Sequence, residues 1–220
     1  NIPANGTAQI VYQVTVAGTA TPGEVLTNTA VVTNPDPLGS GANPSATATL
    51  KSASSGNKVL YVYTSSSSLT RTPQPGTGGG ITINQNGTHN WTLTPALQKN
   101  LTLVGGSTIT VNLLVECTST RRGACNGGNN LHWQAALYNN TVSVANRIGA
   151  TSGNVTFNNT NYTLQTATIT VPTAGVTVTT GNQLILVITN NSTSNYPMSI
   201  VQYSGGTLST VDLSTSAFIT

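Results

Sequence analysis

The side chains able to do acid–base, nucleophilic or metal chemistry are few in this chain. There are four carboxylates (Glu24, Asp36, Glu116 and Asp212), two histidines (His89 and His132) and two cysteines (Cys117 and Cys125). A glycosidase-type pair would need two of the four carboxylates, all far apart in sequence, to meet on folding. A Ser-His-Asp arrangement could draw on His89 or His132 with Asp212, but no G-x-S-x-G segment is present to hold a nucleophile on a strained turn. His132 adjoins Trp133 in an alternating run and reads as an outward-facing polar residue. The loop "NPDPLGSGAN" offers a cation one carboxylate, Asp36, where calcium takes ~6–8 oxygens. "PGTGGG" lacks the lysine and the strand-loop-helix setting of a phosphate cradle. The expectation is therefore a chain with no catalytic residue, no metal and no cofactor, and not an enzyme.

Cysteine and asparagine carry more. Cys117 and Cys125 flank "TSTRRGA" between the strand-like runs "TITVNLLVE" and "LHWQAALY", so a disulfide is expected at the base of a hairpin loop. A zinc site would need further ligands, and only His132 is near in sequence. Asn5, Asn86, Asn90, Asn100, Asn139, Asn154, Asn158, Asn161, Asn190 and Asn191 all lie in N-x-[ST] with no proline between, and are candidate glycosylation sites. Both features point to an extracellular, cell-surface protein. The chain opens at Asn1 with no Met, basic n-region or apolar h-region, so an export signal is expected to have been removed already.

The elements that must position these residues are strands. Only 7 Lys+Arg and 4 Asp+Glu occur in 220 residues, a net charge of +3. Apart from Arg121-Arg122 the cations are scattered, which argues against nucleic acid and an anionic membrane surface as partners. Thr, Ser, Asn and Gly, interleaved with Val and Ile, suit half-buried strands joined by turns, and no run approaches the ~18 apolar residues of a membrane span.

Alternation at period two recurs along the whole chain, the pattern of β-sandwiches. "AQIVYQVTVA", "EVLTNTAVVTN" and "SATATLKS" come first; "SASSGNK" then dilutes the pattern and marks a boundary, giving domains at 1–52 and 53–220. Beyond it lie "VLYVYT", "HNWTLTP", "LTLVGG" and further strands up to "STVDLSTSAFIT", while "SSSSLTRTPQPGTGGG" reads as an exposed loop. Trp91 with Tyr61, Tyr63, Tyr138, Tyr162, Tyr196 and Tyr203 could form a platform for sugar rings, which keeps a carbohydrate-binding or adhesin module open as the alternative function. Trp133 shares a face with Leu131, Ala135 and Leu137 and reads as core.

The segments from Gly6 to Val16, from Pro22 to Val32 and from Asn43 to Leu50, above all "LTNTAVV", give the first domain a family likeness. It resembles the second half of the conserved-repeat β-sandwich domain of large bacterial and archaeal surface proteins. The resemblance implies a structural role for Asn28 and a repeat whose front half is missing. The remainder, with "WTLTPALQKNLTLVGGSTITVNLLV", "AALY", "VTTGNQLILVITN" and "LSTVDLSTSAFI", is similar to a terminal module of such proteins.

The fold expected is all-β: two immunoglobulin-like or jelly-roll-like sandwich units, the first incomplete and completed by another chain. Ile10, Tyr12, Val14, Val16, Leu26 and Val32 form its candidate subunit interface, since each such side chain is worth ~1.5–3 kcal/mol when buried. The expected function is a structural subunit of an extracellular filament or surface layer. It would assemble with other copies of itself by head-to-tail strand addition, with glycans as possible further partners.

Overall fold

In a computed structural model the chain is nearly all β. The structure describes residues 25–31, 45–51, 58–74, 76, 78–119, 125, 131–213 and 217–219. The chain divides into two compact units, Asn1–Ser54 and Ser55–Thr220. The described residues contain no α-helix, only a short 3₁₀ turn at Val144–Asn146.

The first unit contributes β1 (Val25–Val31) and β2 (Ser45–Lys51), an antiparallel ladder that sets Leu26 opposite Leu50 and Asn28 opposite Ala48. In the second unit the chain runs through β3 (Val59–Tyr63), β4 (Ser68–Thr70), β5 (Ile81–Ile83), β6 (Thr88–Leu93), β7 (Leu101–Leu103) and β8 (Thr108–Cys117). Next come β9 (His132–Asn139), β10 (Arg147–Ile148), β11 (Val155–Thr156), β12 (Thr163–Thr170), β13 (Val176–Val178) and β14 (Leu184–Asn190). It ends with β15 (Met198–Val201), β16 (Tyr203–Ser204), β17 (Thr207–Leu208), β18 (Thr210–Asp212) and β19 (Ala217–Ile219).

Strand β8 organises the second unit. Its alternation places Ile109, Val111, Leu113, Val115 and Cys117 on the buried face. β12 pairs along one edge, from Thr163 opposite Val115 to Thr170 opposite Thr108. The other edge is shared in succession by β18, opposite Thr110 to Asn112, and β15, opposite Leu114 to Cys117. At the handover the Ser209 hydroxyl replaces a ladder partner, accepting from the Leu114 N–H at 2.9 Å and donating to the Val201 carbonyl at 2.6 Å. From β18 the path continues through β3, β4, β6, β14 and β9 to β10, with β11 also on β9. β13, β7 and β19 form a separate small sheet. Fully buried Trp91, Trp133 and Phe157 are the largest side chains of the core.

Three local expectations are corrected. β8 and β9 are not a hairpin, because both edges of each are occupied by other strands: β12, β18 and β15 on β8, and β14, β10 and β11 on β9. The stretch expected to be an exposed loop contains β4, whose Leu69 is fully buried and which pairs in parallel with β6. "STVDLSTSAFIT" is not one strand: β18 and β19 join different sheets. Elsewhere turn chemistry acts as sequence suggests. Gly205 and Gly206, with φ of 56° and 86°, make the two-residue connection between β16 and β17, a conformation side chains oppose.

Candidate functional site

Strand β12 lies close to β9 and β11, and its Gln165 Oε1 accepts from Trp133 Nε1 at 2.7 Å. β12 pairs with β8 only, and no backbone hydrogen bond reaches its other edge among the described residues. Its eight residues, TLQTATIT, include no charge and no proline. Ala167 and Ile169 point into the core, while Leu164, Thr166, Thr168 and Thr170 face outward and are exposed, Leu164 to 51%. Leu164 lies opposite Leu114 on β8, and Leu114 opposite Val201 on β15; Leu114 and Val201 are buried, and Leu164 alone of the three is exposed. The edge is closed at one end, where Gly149 packs on the Thr170 carbonyl oxygen too closely for any Cβ. Among the described residues, the strands at the ends of the large sheet's path, β5 and β10, and β11 beside β10 on β9, have two or three residues each.

Of the expected interface residues, Ile10, Tyr12, Val14, Val16 and Val32 lie outside the described residues, and Leu26 is placed by its backbone in β1. Asn5 also lies outside them. Among the other sequons, Asn86, Asn90, Asn154, Asn158 and Asn161 are exposed, and Asn100, Asn139 and Asn191 are half-buried. Asn191 donates to Asn154 Oδ1 at 2.7 Å, and Asn100 Oδ1 accepts from the Thr180 backbone N–H at 2.9 Å. Asn190 differs from the other sequons in its surroundings. It is fully buried, its Nδ2 donating to the carbonyls of Ile83 and Tyr196, both at 3.0 Å, and its Oδ1 accepting from Ser192. The signal was in the sequence, because Leu184, Leu186, Ile188 and Asn190 share the inward face of β14.

Cys117 and Cys125 are bridged, with their Cα atoms 5.8 Å apart. The histidines separate: His132 Nδ1 lies 3.4 Å from Thr156 Oγ1, whereas His89 Nε2 lies 2.8 Å from Ser67 Oγ and its ring stands edge-on to Trp91 at 4.5 Å. Burial holds the His89 pKa below its ordinary value. Ser67 occupies left-handed backbone, φ 51°, a conformation sequence reasoning did not anticipate. No group of three or more His, Cys, Asp or Glu that could hold a metal occurs among the described residues.

The aromatic platform does not form as drawn, because Trp91 is in the core and the tyrosines other than Tyr203 are half-buried. Tyr203 instead borders a groove of about 470 Å³ with Pro73, Gln74, Gly76 and Leu208. Buried Gln202 fixes that loop, donating to the Gly76 carbonyl at 2.8 Å and accepting from the Thr64 N–H at 3.2 Å. No helix among the described residues is long and apolar enough to cross a membrane.

No protein-family model matches the chain, and no curated protein matches it. Solved structures similar to it include two of a CocE/NonD family hydrolase from Staphylococcus aureus and one of an α-amino acid ester hydrolase. Each is 11% identical, with TM-scores of 0.47, 0.49 and 0.40 over 74%, 80% and 74% of this chain. The chain spans 36%, 39% and 35% of the length of those structures. The expectation that the chain is not an enzyme is corrected by these neighbours, which are hydrolases. At such identity and TM-score no activity or residue role passes from them.

Proposed function

We propose that the chain is a structural subunit of an extracellular filament or surface layer, assembling head-to-tail by strand addition between copies. The observation that carries this reading is the make-up of the strands: β1, β2 and β12 together carry one charged residue, Lys51, and no proline, which suits backbone pairing between copies. In this reading the chain is two immunoglobulin-like or jelly-roll-like sandwich units, and a neighbouring copy completes the first. Main-chain hydrogen bonds supply the affinity, and a head-to-tail contact that does not close repeats into a fibre.

The sparse charge, 7 basic and 4 acidic residues in 220, supports close packing of β surfaces without burial of ions. The resemblance of residues 6–50 to a surface-protein repeat, the Cys117–Cys125 bridge and the exposed sequons support a place outside the cell. Negative-stain microscopy and size-exclusion chromatography of the full chain over a wide concentration range test this reading. Fibres or concentration-dependent oligomers are expected; a monomer at every concentration overturns it.

A further inference from the structure

We propose that Ser67 and His89 form a nucleophile–base pair that takes the acyl group of a small, uncharged ester. This goes beyond the filament reading and does not depend on it.

The pair is built by strand pairing. Ser67 ends the turn between β3 and β4, where Tyr63 lies opposite Ser68. Its carbonyl accepts the Thr92 N–H at 3.1 Å, and Ser68 lies opposite Thr92 in the parallel β4–β6 ladder. His89 stands on β6 as well, and β14 holds the other edge of that strand with Ile188 opposite His89. The two side chains thus meet from adjacent strands, with Ser67 Oγ 2.8 Å from His89 Nε2. That is the reach over which a base removes a hydroxyl proton.

Two features set this contact apart from an ordinary surface hydrogen bond. Ser67 holds left-handed backbone, φ 51°, which glycine or asparagine would occupy at less cost, so the hydroxyl is kept where the backbone disfavours a serine. The imidazole stands edge-on to fully buried Trp91 at 4.5 Å, and its own burial favours the neutral, proton-accepting form. Ser67 and His89 are both half-buried, within reach of a small reagent. His132 lacks this arrangement, since its Nδ1 lies 3.4 Å from the secondary hydroxyl of Thr156.

In the proposed step Ser67 Oγ bonds to the acyl carbon while its proton passes to His89 Nε2. The tetrahedral intermediate then expels the ester's alcohol, which leaves with that proton, and the acyl group stays on Ser67. Water reverses the roles: it attacks the acyl carbon as His89 takes its proton, and Ser67 Oγ departs with that proton as the acid is released. Residues 64–69 and 88–93 include no Asp, Glu, Lys or Arg. These segments therefore offer no counter-charge to a charged acyl group and no carboxylate to steady an imidazolium, which restricts the pair to uncharged, activated esters.

Active-serine labelling tests this. The full chain is treated with a fluorophosphonate or with p-nitrophenyl acetate, and the modified peptide is mapped by mass spectrometry. An adduct on Ser67 is expected, with a p-nitrophenol burst of about one equivalent. Ser67→Gly, which suits the left-handed backbone, should abolish both signals, and His89→Gln should slow them about a hundredfold. His132→Gln should leave them unchanged. No adduct, or adducts spread over other serines, overturns the proposal. Labelling of Ser67 at the wild-type rate in His89→Gln removes the base and overturns the pair. Because the adduct is mapped on the wild-type chain, the proposal can be refuted even where a variant fails to fold.

Discussion

Asn190 donates from its side-chain amide to the carbonyl of Ile83 at 3.0 Å, deep in the second unit. The same nitrogen reaches the Tyr196 carbonyl, and its oxygen receives Ser192. One inward position of β14 thus satisfies the ends of β5 and of the turn that follows β14. Asn190→Ala leaves those groups buried and unpaired, and is expected to cost on the order of 3 kcal/mol in urea unfolding. Asn190→Asp is expected to cost more, since its oxygens would face two carbonyls. A loss below about 0.5 kcal/mol for either would remove this role. For the same reason, peptide mapping of folded, host-modified protein should find Asn190 bare.

His89 supplies a pH dependence. Burial against Trp91 favours its neutral form and depresses its pKa from 6.5. Because the folded value is the lower one, the unfolded chain takes up a proton first as pH falls below 6.5. Stability from this group is therefore complete above that pH and declines below it. Melting temperature should fall between about pH 7 and pH 5, and His89→Gln should flatten that part of the curve. Superimposable profiles for the two proteins would rule out the contribution.

The Cys117–Cys125 bridge spans a sequence separation of eight. Closing so short a loop in the unfolded chain is worth about 2–3 kcal/mol in the entropy model. Reduction should lower the urea midpoint accordingly while β9 stays in place through its ladders with β14, β10 and β11. Loss of all near-ultraviolet signal on reduction in the absence of denaturant would mean that the bridge holds the whole sheet.

Gly149 has a φ of +76° and sits on the Thr170 carbonyl oxygen. Gly149→Ala adds both a backbone strain and a steric clash, and is expected to destabilise by about 1–3 kcal/mol. Gly153→Ala, where a Cβ meets open space and φ is not in the left-handed range, is the control and should leave unfolding nearly unchanged. Equal effects of the two substitutions would refute the close approach.

Alternation in the sequence made the β class and many inward residues legible: Ile109, Val111, Leu113 and Val115 on β8 and Trp133, Ala135 and Leu137 on β9 are buried at period two, although Leu114 and Ala136 between them are buried as well. Pairing was not legible in the same way. β8 reads as the first half of a hairpin because "TSTRRGA" is turn-like, yet partners are chosen by long-range packing, and β12 arrives from some fifty residues downstream. β4 was hidden because it is three residues long in a run of serines, and only Leu69 marks it. The Ser67–His89 contact had no local signal, since a hydroxyl and an imidazole twenty-two residues apart meet only after β4 and β6 pair. The one-sided ladder of β12 was invisible too. An edge is defined by which strand fails to arrive, and no property of the residues Thr163 to Thr170 records that.

With neighbours on both sides, β8 is the keel of the second unit, and this has a kinetic meaning. Amides from Ile109 to Val115 are hydrogen-bonded in ladders with β12, β18 and β15, and the handover at Leu114 is sealed by Ser209. None can meet solvent by fraying of a single flank, so their deuterium uptake should follow whole-unit opening, while β12, whose described ladder is with β8 alone, exchanges through cheaper local excursions.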